Sequence, residues 1–421
     1  MNARALLGVT AVLSGAAAQL AGQGATCRMQ LDSMGGQGRH VEVAPGQVHQ
    51  FGGGGVWASC PGQQTRMYAD SVAWFSERNR VDFVGRVEFR DSAVTLNADR
   101  AAYFPSDERL EAYGNVRLVN RNAGSELEGP NLTYRREVPG TRDTADLYAT
   151  GRPTVRHRAA GDESDEPYVI EGEHVRLRGQ DEAWAGGAVT VERSDFAALA
   201  DSAELRFGAG HGAFLGHAQV TGKGDRGYVL AGRQILFRLA DGRVTWVQAQ
   251  GEGDATSTEW RLSADTIEFH IVADLVQGGL AWGDSIRPVA LSSTYTMRAD
   301  SLALDTPGQQ LREIRGFGRA LATARTDSAG PEPDWVGGDS LVARFDAAAE
   351  GGPRMLQTLE ARGNARAFYR VYDAADGALA GINYSRGLKI VATFKASGVD
   401  RVDVIGGGDG VYLEPQRRRP P

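Results

Sequence analysis

Lysine, cysteine and long apolar runs are all scarce in this sequence of 421 residues, and each scarcity excludes a class of protein. Only three of its 46 basic residues are lysines, and its formal net charge is -7. Nucleic-acid-binding proteins usually carry a basic surplus or a basic stripe, so this charge balance argues against that class. A hydrophobic share of 42% with 24% charged residues excludes a disordered chain and a polytopic membrane protein.

Recognisable catalytic signals are equally scarce. Gly338–Leu341 spells the Gly-Asp-Ser-Leu signature of an esterase family, whose serine needs a histidine base from a later part of the chain. No histidine follows His270, and the same small-Asp-Ser step recurs at Asp70, Asp201 and Asp300. We therefore predict no enzymatic activity, no metal site and no cofactor. A polysaccharide-cleaving carboxylate pair stays open as an alternative, because the separation of two carboxylates is not visible in a sequence.

The first 18 residues have the pattern of a secretory signal peptide. Arg4 supplies the positive charge, Ala5–Ala18 form an apolar run, and Ala16–Ala18 offer a small-residue cleavage site. The pattern predicts export through the Sec pathway to the periplasm, and it leaves association with the inner or the outer membrane open. An N-terminal core helix, an uncleaved membrane anchor and a lipoprotein anchor at Cys27 are the alternatives.

Cysteine occurs at two positions, Cys27 and Cys60. In an oxidising compartment the two thiols are expected to form one disulfide, and two unpaired thiols are the alternative. Both cysteines fall in residues 19–66, a stretch with a run of four glycines that we interpret as a flexible leader or cap. At the other end of the chain, residues 416–421 are rich in arginine and proline and are predicted to be disordered.

A tandem repeat dominates the sequence from residue 67 to residue 415. A small residue followed by a polar one recurs about every 35 residues, which gives about ten copies. The polar residue is most often an aspartate, and we expect these aspartates to accept hydrogen bonds from backbone N–H groups at a bend. The predicted bend residues are Asp70, Asp99, Asp201, Asp265, Asp300 and Asp339.

Apolar and polar residues alternate after each of these steps, which is the pattern of a β-strand with one buried face. The positions two and four residues after the polar residue are apolar in nearly every copy. We predict that these positions line a common interior, together with two aromatic residues farther along their strands. The predicted lining residues are Val72, Trp74, Tyr103, Leu132, Tyr134, Val175, Leu177, Leu205, Phe207, Ile235, Phe237, Ile267, Phe269, Leu302, Leu304, Leu341 and Phe345.

The alternation changes register at the small residue. In one copy Leu96 and Ala98 share one parity, and Ala101 and Tyr103 have the opposite one. A straight strand would turn half of these side chains to the wrong face, so we predict one extra residue, in a bulge or corner, at the small–aspartate step. Each copy also has a glycine step, as at Gly114, and thereby contributes a second bent strand. Stacked copies would form two facing sheets: a long sandwich, an open trough or a solenoid.

The repeat resembles that of the OstA-like family of periplasmic lipopolysaccharide-transport proteins, which includes LptA, LptC and the N-terminal domain of LptD. The resemblance rests on the phrases Ala-Asp-x-x-x-Tyr and Gly-Asn-Val and on their tandem recurrence. This chain has about twice the repeats of the short bridge protein of that family, and we expect no membrane barrel after them. The carrying segments are Met67–Phe75 with Val81–Phe89, Leu96–Phe104 with Leu110–Leu118, and a closing copy in Gly387–Phe394, Val399–Val404 and Val411–Tyr412.

The resemblance implies an all-β fold, an elongated β-jellyroll of about ten OstA-like repeats over residues 67–415 that forms a bent two-sheet trough or two stacked halves. It implies a carrier or bridge that does no chemistry and holds the lipid A acyl chains of lipopolysaccharide in its apolar interior. Edge strands would pair with LptC-like and LptD-like jellyroll proteins, or end to end with further copies of the chain. A structural or adhesive β-solenoid of the cell surface is the alternative function.

Overall fold

The computed structural model describes residues 29–60, 64–158, 166–223, 227–325, 333–346, 354–373, 378–395 and 398–414. The predicted signal peptide, Cys27 and the predicted disordered tail lie outside the described residues. Strands account for 75% of the structure, and within the described ranges helix is limited to two 3₁₀ turns, Ser76–Arg78 and Pro307–Gln309. No helix in these ranges has the length and hydropathy needed to cross a membrane. The all-β prediction is confirmed.

The described residues form 28 β-strands, most of which are 11 residues or longer. The shorter strands include those that a kink divides into two segments. Their bounds are β1 Gln30–Met34, β2 Arg39–Ala44, β3 Gln47–Cys60, β4 Thr65–Phe75, β5 Arg80–Arg90, β6 Val94–Phe104, β7 Arg109–Asn120, β8 Ser125–Arg135, β9 Asp146–Thr150, β10 Thr154–His157, β11 Tyr168–Glu171, β12 His174–Arg178, β13 Glu182–Glu192, β14 Phe196–Arg206, β15 His211–Gly222, β16 Val229–Ala240, β17 Arg243–Thr256, β18 Arg261–Val272, β19 Leu275–Trp282, β20 Val289–Leu291, β21 Tyr295–Arg298, β22 Ser301–Asp305, β23 Glu313–Ala324, β24 Trp335–Asp346, β25 Met355–Tyr372, β26 Leu379–Lys395, β27 Gly398–Ile405 and β28 Asp409–Leu413.

Successive strands pair antiparallel, so the sheet is a long meander. Where a kink interrupts a strand, its two segments pair with the two ends of the same neighbour. Strands β9 and β10 both pair with β8, and strands β11 and β12 both pair with β13. Because β9 also pairs with β12 and β10 with β11, these six strands close into a small ring.

The long strands are kinked near their middle, and on alternate strands the kink consists of a left-handed glycine and the residue after it. Gly114 and Asn115 have φ angles of 74° and 46°. Two successive left-handed residues form a bulge, and the pairing register shifts there, between Tyr113 and Val116. The same pair of positive φ angles occurs at Gly54-Gly55, Gly85-Arg86, Gly151-Arg152, Gly187-Ala188, Gly216-His217, Gly251-Glu252, Gly318-Arg319, Gly363-Asn364 and Gly406-Gly407.

The predicted change of register is present, but the extra residue does not lie at the small–aspartate step itself. It lies on the neighbouring strand that pairs with this step. Between β6 and β7, Asn97 and Arg100 pair with Arg117 and Tyr113, so the glycine-bearing strand spans one residue more than its neighbour. Glycine adopts positive φ without strain, which favours the bulge on its strand. The parity change within β6 is as predicted, since four residues on both sides of the kink are buried: Leu96, Ala98, Ala101 and Tyr103.

The bend aspartates lie directly over these glycines. A Cβ atom on Gly114 would collide with the carboxylate of Asp99 on the neighbouring strand, so the carboxylate occupies the space of the missing side chain. Asn115, the residue after the glycine, donates a hydrogen bond of 2.9 Å from Nδ2 to the same carboxylate. Four other aspartates bind the side chain after their glycine in the same way: Asp70 binds Arg86, Asp201 binds His217, Asp300 binds Arg319 and Asp339 binds Asn364.

Among the described residues, five of the six bend aspartates thus bind a side chain. The backbone hydrogen bonds that we predicted for these five are wrong. Asp265 is the exception, because it accepts from the N–H groups of Ser285 and Ile286 at 2.7 and 2.9 Å. Strand β19 ends there at Trp282, and Gly283 is not left-handed, so the loop backbone reaches the carboxylate. In the other copies the left-handed bulge presents a side chain to the aspartate instead.

The kinks divide the meander into two half-sheets. Half-sheet A contains the strand segments that precede each glycine kink and the segments that follow each aspartate. Val81 and Tyr103, for example, lie in two such segments and pair with each other. Half-sheet B contains the segments after each glycine and before each aspartate, such as that of Phe89. The rings of Phe89 and Tyr134, from opposite half-sheets, meet edge to face with centroids 6.0 Å apart. The half-sheets therefore face each other, and the buried apolar residues between them form a contiguous core.

The sheet begins at Gln30, within residues 19–66 that we interpreted as a flexible leader or cap. Strands β1 and β2 both pair with β3, and β3 pairs along its length with β4. Gly54 and Gly55 form the same left-handed kink as the later copies. Residues 30–60 are thus the first strands of the ladder and not a flexible leader. Cys60 is buried at the end of β3, and its disulfide with Cys27 stays a prediction.

Replacing Gly114 by alanine is expected to lower the free energy of unfolding by about 1–3 kcal/mol, because a left-handed alanine is strained and its methyl group overlaps Asp99. Gly140 is the matched control: its φ is 78°, but no atom lies within 4 Å of the position of a Cβ. The alanine variant at Gly140 should lose less stability. Urea unfolding followed by circular dichroism measures both losses, and equal losses would contradict the role of the aspartate.

Candidate binding groove

The predicted lining residues all follow a small–polar step and therefore lie on the inner face of half-sheet A. Trp74, at the N-terminal end, is 41% exposed, while Val72 and Phe207 are partly buried and pack against the core. The remaining fourteen are all less than 9% exposed: Tyr103, Leu132, Tyr134, Val175, Leu177, Leu205, Ile235, Phe237, Ile267, Phe269, Leu302, Leu304, Leu341 and Phe345. Over most of the ladder these side chains therefore fill the interior that they line.

One row of paired residues crosses half-sheet A from the N-terminal end of the ladder. Trp74 pairs with Val81, Val81 with Tyr103, and Tyr103 with Leu110. Neighbouring strands lie about 4.8 Å apart, so these side chains form a continuous apolar row, which we call the track. The track continues through Tyr134, Leu147, Leu177, Ala183 and Leu205.

The track opens to solvent at its N-terminal end. A cavity of about 270 Å³, the mouth cavity, lies between strands β1 to β5. Val72 and Trp74 belong to its wall, and Val81 on β5 is the lining residue farthest along the track. Its other lining residues are Met29, Leu31, Met34, Gly38, Arg39, His40, Gln50, Phe51, Gly52, Val56 and Ala58.

Beyond the mouth cavity, polar contacts bridge the two half-sheets. These polar contacts join two rows of hairpin turns, one from each half-sheet, at the strand ends farthest from the kinks. We call these two rows of turns the lips. The hydrogen-bonded bridges between described residues begin with Asp91 and Tyr134. The bridging hydrogen bonds are the Tyr134 hydroxyl to Asp91 Oδ2 at 2.9 Å, His157 Nε2 to the Gln180 carbonyl at 3.0 Å, the Arg193 guanidinium and the Tyr168 hydroxyl to the Gly242 carbonyl at 2.5 and 3.4 Å, and the Leu311 N–H to Glu259 Oε2 at 3.1 Å.

The guanidinium of Arg193 is a buried charge at the lips. Its side chain is 4% exposed, donates to the Tyr168 hydroxyl at 2.7 Å and lies 5.0 Å from the centroid of that ring. Its Nε lies 3.1 Å from Asp195. Burial raises the pKa of Asp195, and the charge of Arg193 opposes that rise. Separating the lips here would break the charge-assisted bond to the Gly242 carbonyl, while Tyr168 and Asp195 stay with Arg193 on its own half-sheet.

A second cavity of about 180 Å³, the inner cavity, lies behind the first bridge. Tyr134, Leu147 and Leu177 of the track form part of its apolar wall. Asn120, Glu137 and other polar residues of the lips line its remaining surface. The inner cavity therefore combines a stretch of the track with a polar rim at the lips.

The sequence analysis missed two groups of residues at this site. The mouth residues Met34 and Phe51 precede the first repeat that we recognised, although Gly54-Gly55-Val56 has the same Gly-x-Val pattern as later copies. The bridging residues Asp91 and Arg193 lie in turns, where the repeat imposes no pattern. The described residues contain no group of three His, Cys, Asp or Glu side chains arranged to hold a metal ion.

Comparison with curated proteins shows a partial similarity. A stretch of 76 residues is 38% identical to the LPS-assembly protein LptD of Polaromonas sp. (strain JS666 / ATCC BAA-500). The stretch covers 17% of this chain and 9% of that protein, so this chain matches only a small part of the relative's length. No family model matches the chain.

The stability of the lips is expected to depend on pH through His157. Burial lowers the pKa of this histidine, against smaller opposite effects of the Gln180 carbonyl and Asp181. In the unfolded chain an imidazole has a pKa of about 6.5, so below about pH 6.5 the unfolded state binds a proton that the folded state excludes. Stability should therefore fall as the pH is lowered through this range.

Urea unfolding at a series of pH values between about 7 and 5 tests this expectation. The His157→Phe variant keeps an aromatic ring against Phe207, whose centroid lies 4.8 Å from that of His157, and should show a flatter dependence on pH. The exposed His211, replaced in the same way, is the control. An unchanged slope in the His157 variant would contradict the assignment.

Proposed function

We propose that the chain is a non-enzymatic periplasmic carrier or bridge for lipopolysaccharide, an elongated β-jellyroll that holds acyl chains between its half-sheets on the way to the outer membrane. The observation that carries this proposal is the apolar track, which runs between the half-sheets and opens at the mouth cavity. The partial similarity to the LPS-assembly protein LptD and the resemblance of the repeat to the OstA-like family support it. The LptD similarity also supports a place in the cell envelope.

The physical need for such a carrier is the cost of exposing acyl chains to water, about 0.8 kcal/mol for each methylene. The track offers buried apolar contact along its length, and Val72 and Trp74 offer it at the edge of solvent. The sugar and phosphate head of the lipid would stay in water outside the lips. No cofactor and no catalytic residue enter this function.

The interior is filled beyond the mouth, so an entering chain must part the lips. A hydrogen bond contributes about 0.5–1.5 kcal/mol net, and a bond to a charged group about 1.5–3 kcal/mol. The Tyr134 bond ends on the carboxylate of Asp91, and the Gly242 bond comes from the guanidinium of Arg193, so both involve a charged group. The His157 bond ends on a backbone carbonyl. The first bridge therefore resists a chain that enters from the mouth cavity.

Both ends of the ladder present strand edges that could take a partner. Among the described strands, β1 and β2 pair with β3 alone, and β27 and β28 pair with β26 alone. Unpaired edges readily accept a further strand. We propose that LptC-like and LptD-like jellyroll proteins, or further copies of this chain, extend the ladder there. Apolar side chains exposed at the C-terminal edge would be covered by such a partner: Val399, Ile405, Val411, Tyr412 and Leu413.

A structural or adhesive β-solenoid of the cell surface is the second candidate function. The filled interior favours it, because a solenoid without cargo needs only a packed core. Phe237 and Phe269, for example, are 5% and 0% exposed. The two candidates differ in what touches the interior and in which side of the outer membrane the chain faces.

Photo-crosslinking in living cells tests the carrier function. A photoreactive amino acid at Trp74 or Phe237 should capture lipopolysaccharide, because both positions lie on the inner face. The same amino acid at Glu204, on the outer face beside Arg206, is the control and should capture little. Equal capture at inner and outer positions would contradict an acyl-chain groove.

Protease added to intact cells tests the surface-solenoid function. A periplasmic carrier should resist digestion until the outer membrane is permeabilised, since protease does not cross that membrane. A surface solenoid should be cut at once in its exposed loops. Immunoblotting of the chain before and after permeabilisation measures the difference, and immediate digestion in intact cells would contradict the periplasmic location.

A further inference from the structure

We propose that Tyr103 on half-sheet A, together with Phe89 on half-sheet B, forms a plug that sets the length of hydrocarbon chain that the mouth accepts before the lips part. The inference rests on the proposed function and adds to it a chain-length limit at a defined residue. It depends on the positions of the two cavities and on the contacts that hold the aromatic rings between them.

The two cavities lie on the same track and are separated by the plug. Along the track, the mouth cavity reaches Val81 on β5 and the inner cavity begins at Tyr134 on β8. On half-sheet B, the wall of the inner cavity extends back to Val94 on β6. Tyr103 and Leu110 occupy the two intervening positions of the track and are 3% and 1% exposed. At about 4.8 Å per strand, the blocked stretch from Val81 to Tyr134 is about 14 Å long.

Hydrogen bonding and ring packing hold the plug in place. The Tyr103 hydroxyl donates to Glu108 Oε2 at 2.7 Å, which fixes that ring at its outer end. Phe89 reaches in from half-sheet B, is 3% exposed and packs edge to face against Tyr134 at an interplanar angle of 68°. Both walls of the interior therefore contribute an aromatic ring to the plug.

The plug is coupled to the first bridge between the lips. The Tyr134 hydroxyl donates to Asp91 at 2.9 Å. Asp91 is 2% exposed and also accepts from the N–H groups of Ala93 and Val94, at 2.8 and 2.7 Å. A chain that advances past Tyr103 must also move Tyr134 and thereby break this bridge. Passing the plug and parting the lips are thus one step.

The plug predicts how affinity depends on chain length. Each methylene that enters the mouth cavity should raise affinity about fourfold. Once the end of the chain meets Tyr103, a further methylene stays in water and adds nothing. Affinity should therefore rise with chain length to a breakpoint and then level off.

Straight-chain fatty acids from octanoate to octadecanoate, kept below their micellar concentrations, measure the breakpoint on the full chain. Each acid displaces a dansyl-labelled undecanoate whose fluorescence reports binding. The Tyr103→Ala variant should move the breakpoint to longer chains, because it joins the two cavities. The Val81→Phe variant should move it to shorter chains, because it fills the inner end of the mouth cavity.

Two further variants separate the plug from general loosening of the core. Tyr103→Leu retains an apolar side chain and should give a smaller shift in the same direction, even if the alanine variant does not fold. Phe214→Ala removes a ring that is similarly buried but lies on β15, far along the ladder and off the track, and it should leave the breakpoint unchanged. Melting curves show which variants retain the native fold.

The outcomes distinguish this inference from the proposed function. A breakpoint that is the same in the wild type and in both Tyr103 variants overturns the plug and leaves the carrier function standing. A Phe214→Ala shift as large as that of Tyr103→Ala also overturns the plug. Absence of saturable binding for every chain length overturns the plug and the carrier function together.

Discussion

The close approach of an aspartate to a glycine on the neighbouring strand is the constraint on which the rest of this structure depends. Without the kink at Ala98 and Gly114, half of the apolar side chains on each strand would face water. At five of the kink glycines an aspartate carboxylate ties the kinks of neighbouring strands together, and the kinks turn one meander into two facing half-sheets. Arg86 and Arg319 hold the pKa of Asp70 and Asp300 below the usual range, so the carboxylates that join these kinks stay charged.

The kinks and the lips give the molecule two unlike sides. At the kinks, every strand continues from one half-sheet into the other, so this side is closed by the covalent chain itself. At the lips, the half-sheets are joined by contacts between turns, such as those of Asp91 with Tyr134 and Arg193 with Gly242. Any opening of the interior must therefore occur at the lips, and the side chains that bridge them decide where it starts.

The buried face of each strand was predictable from the sequence, because it follows from a pattern that repeats along the strand. Contacts between residues on different strands were not predictable. The parity change in β6 placed Leu96, Ala98, Ala101 and Tyr103 inside because alternation alone decides the face of a strand. The partner of Asp99 was not predictable from its own strand, since Asn115 comes from the next one. The first strands were missed because the glycine run Gly52–Gly55 suggested a flexible segment. The Asp91–Tyr134 bridge joins residues 43 positions apart, and no local pattern links them.

A filled interior is compatible with a carrier function, because an entering acyl chain would replace contacts between apolar side chains with contacts of its own. An acyl chain and the aliphatic or aromatic side chains of the track make the same kind of dispersion contacts. A chain that displaces side-chain contacts inside the ladder would therefore gain little net free energy there, which would suit the proposed carrier function, because a carrier must release its cargo. At the mouth cavity a chain fills empty space and displaces no packed side chain, so its gain is largest there. The free-energy profile along the track is consequently asymmetric, with its strongest site at strands β1 to β5. Behind that site a chain gains little and must part the bridges between the lips.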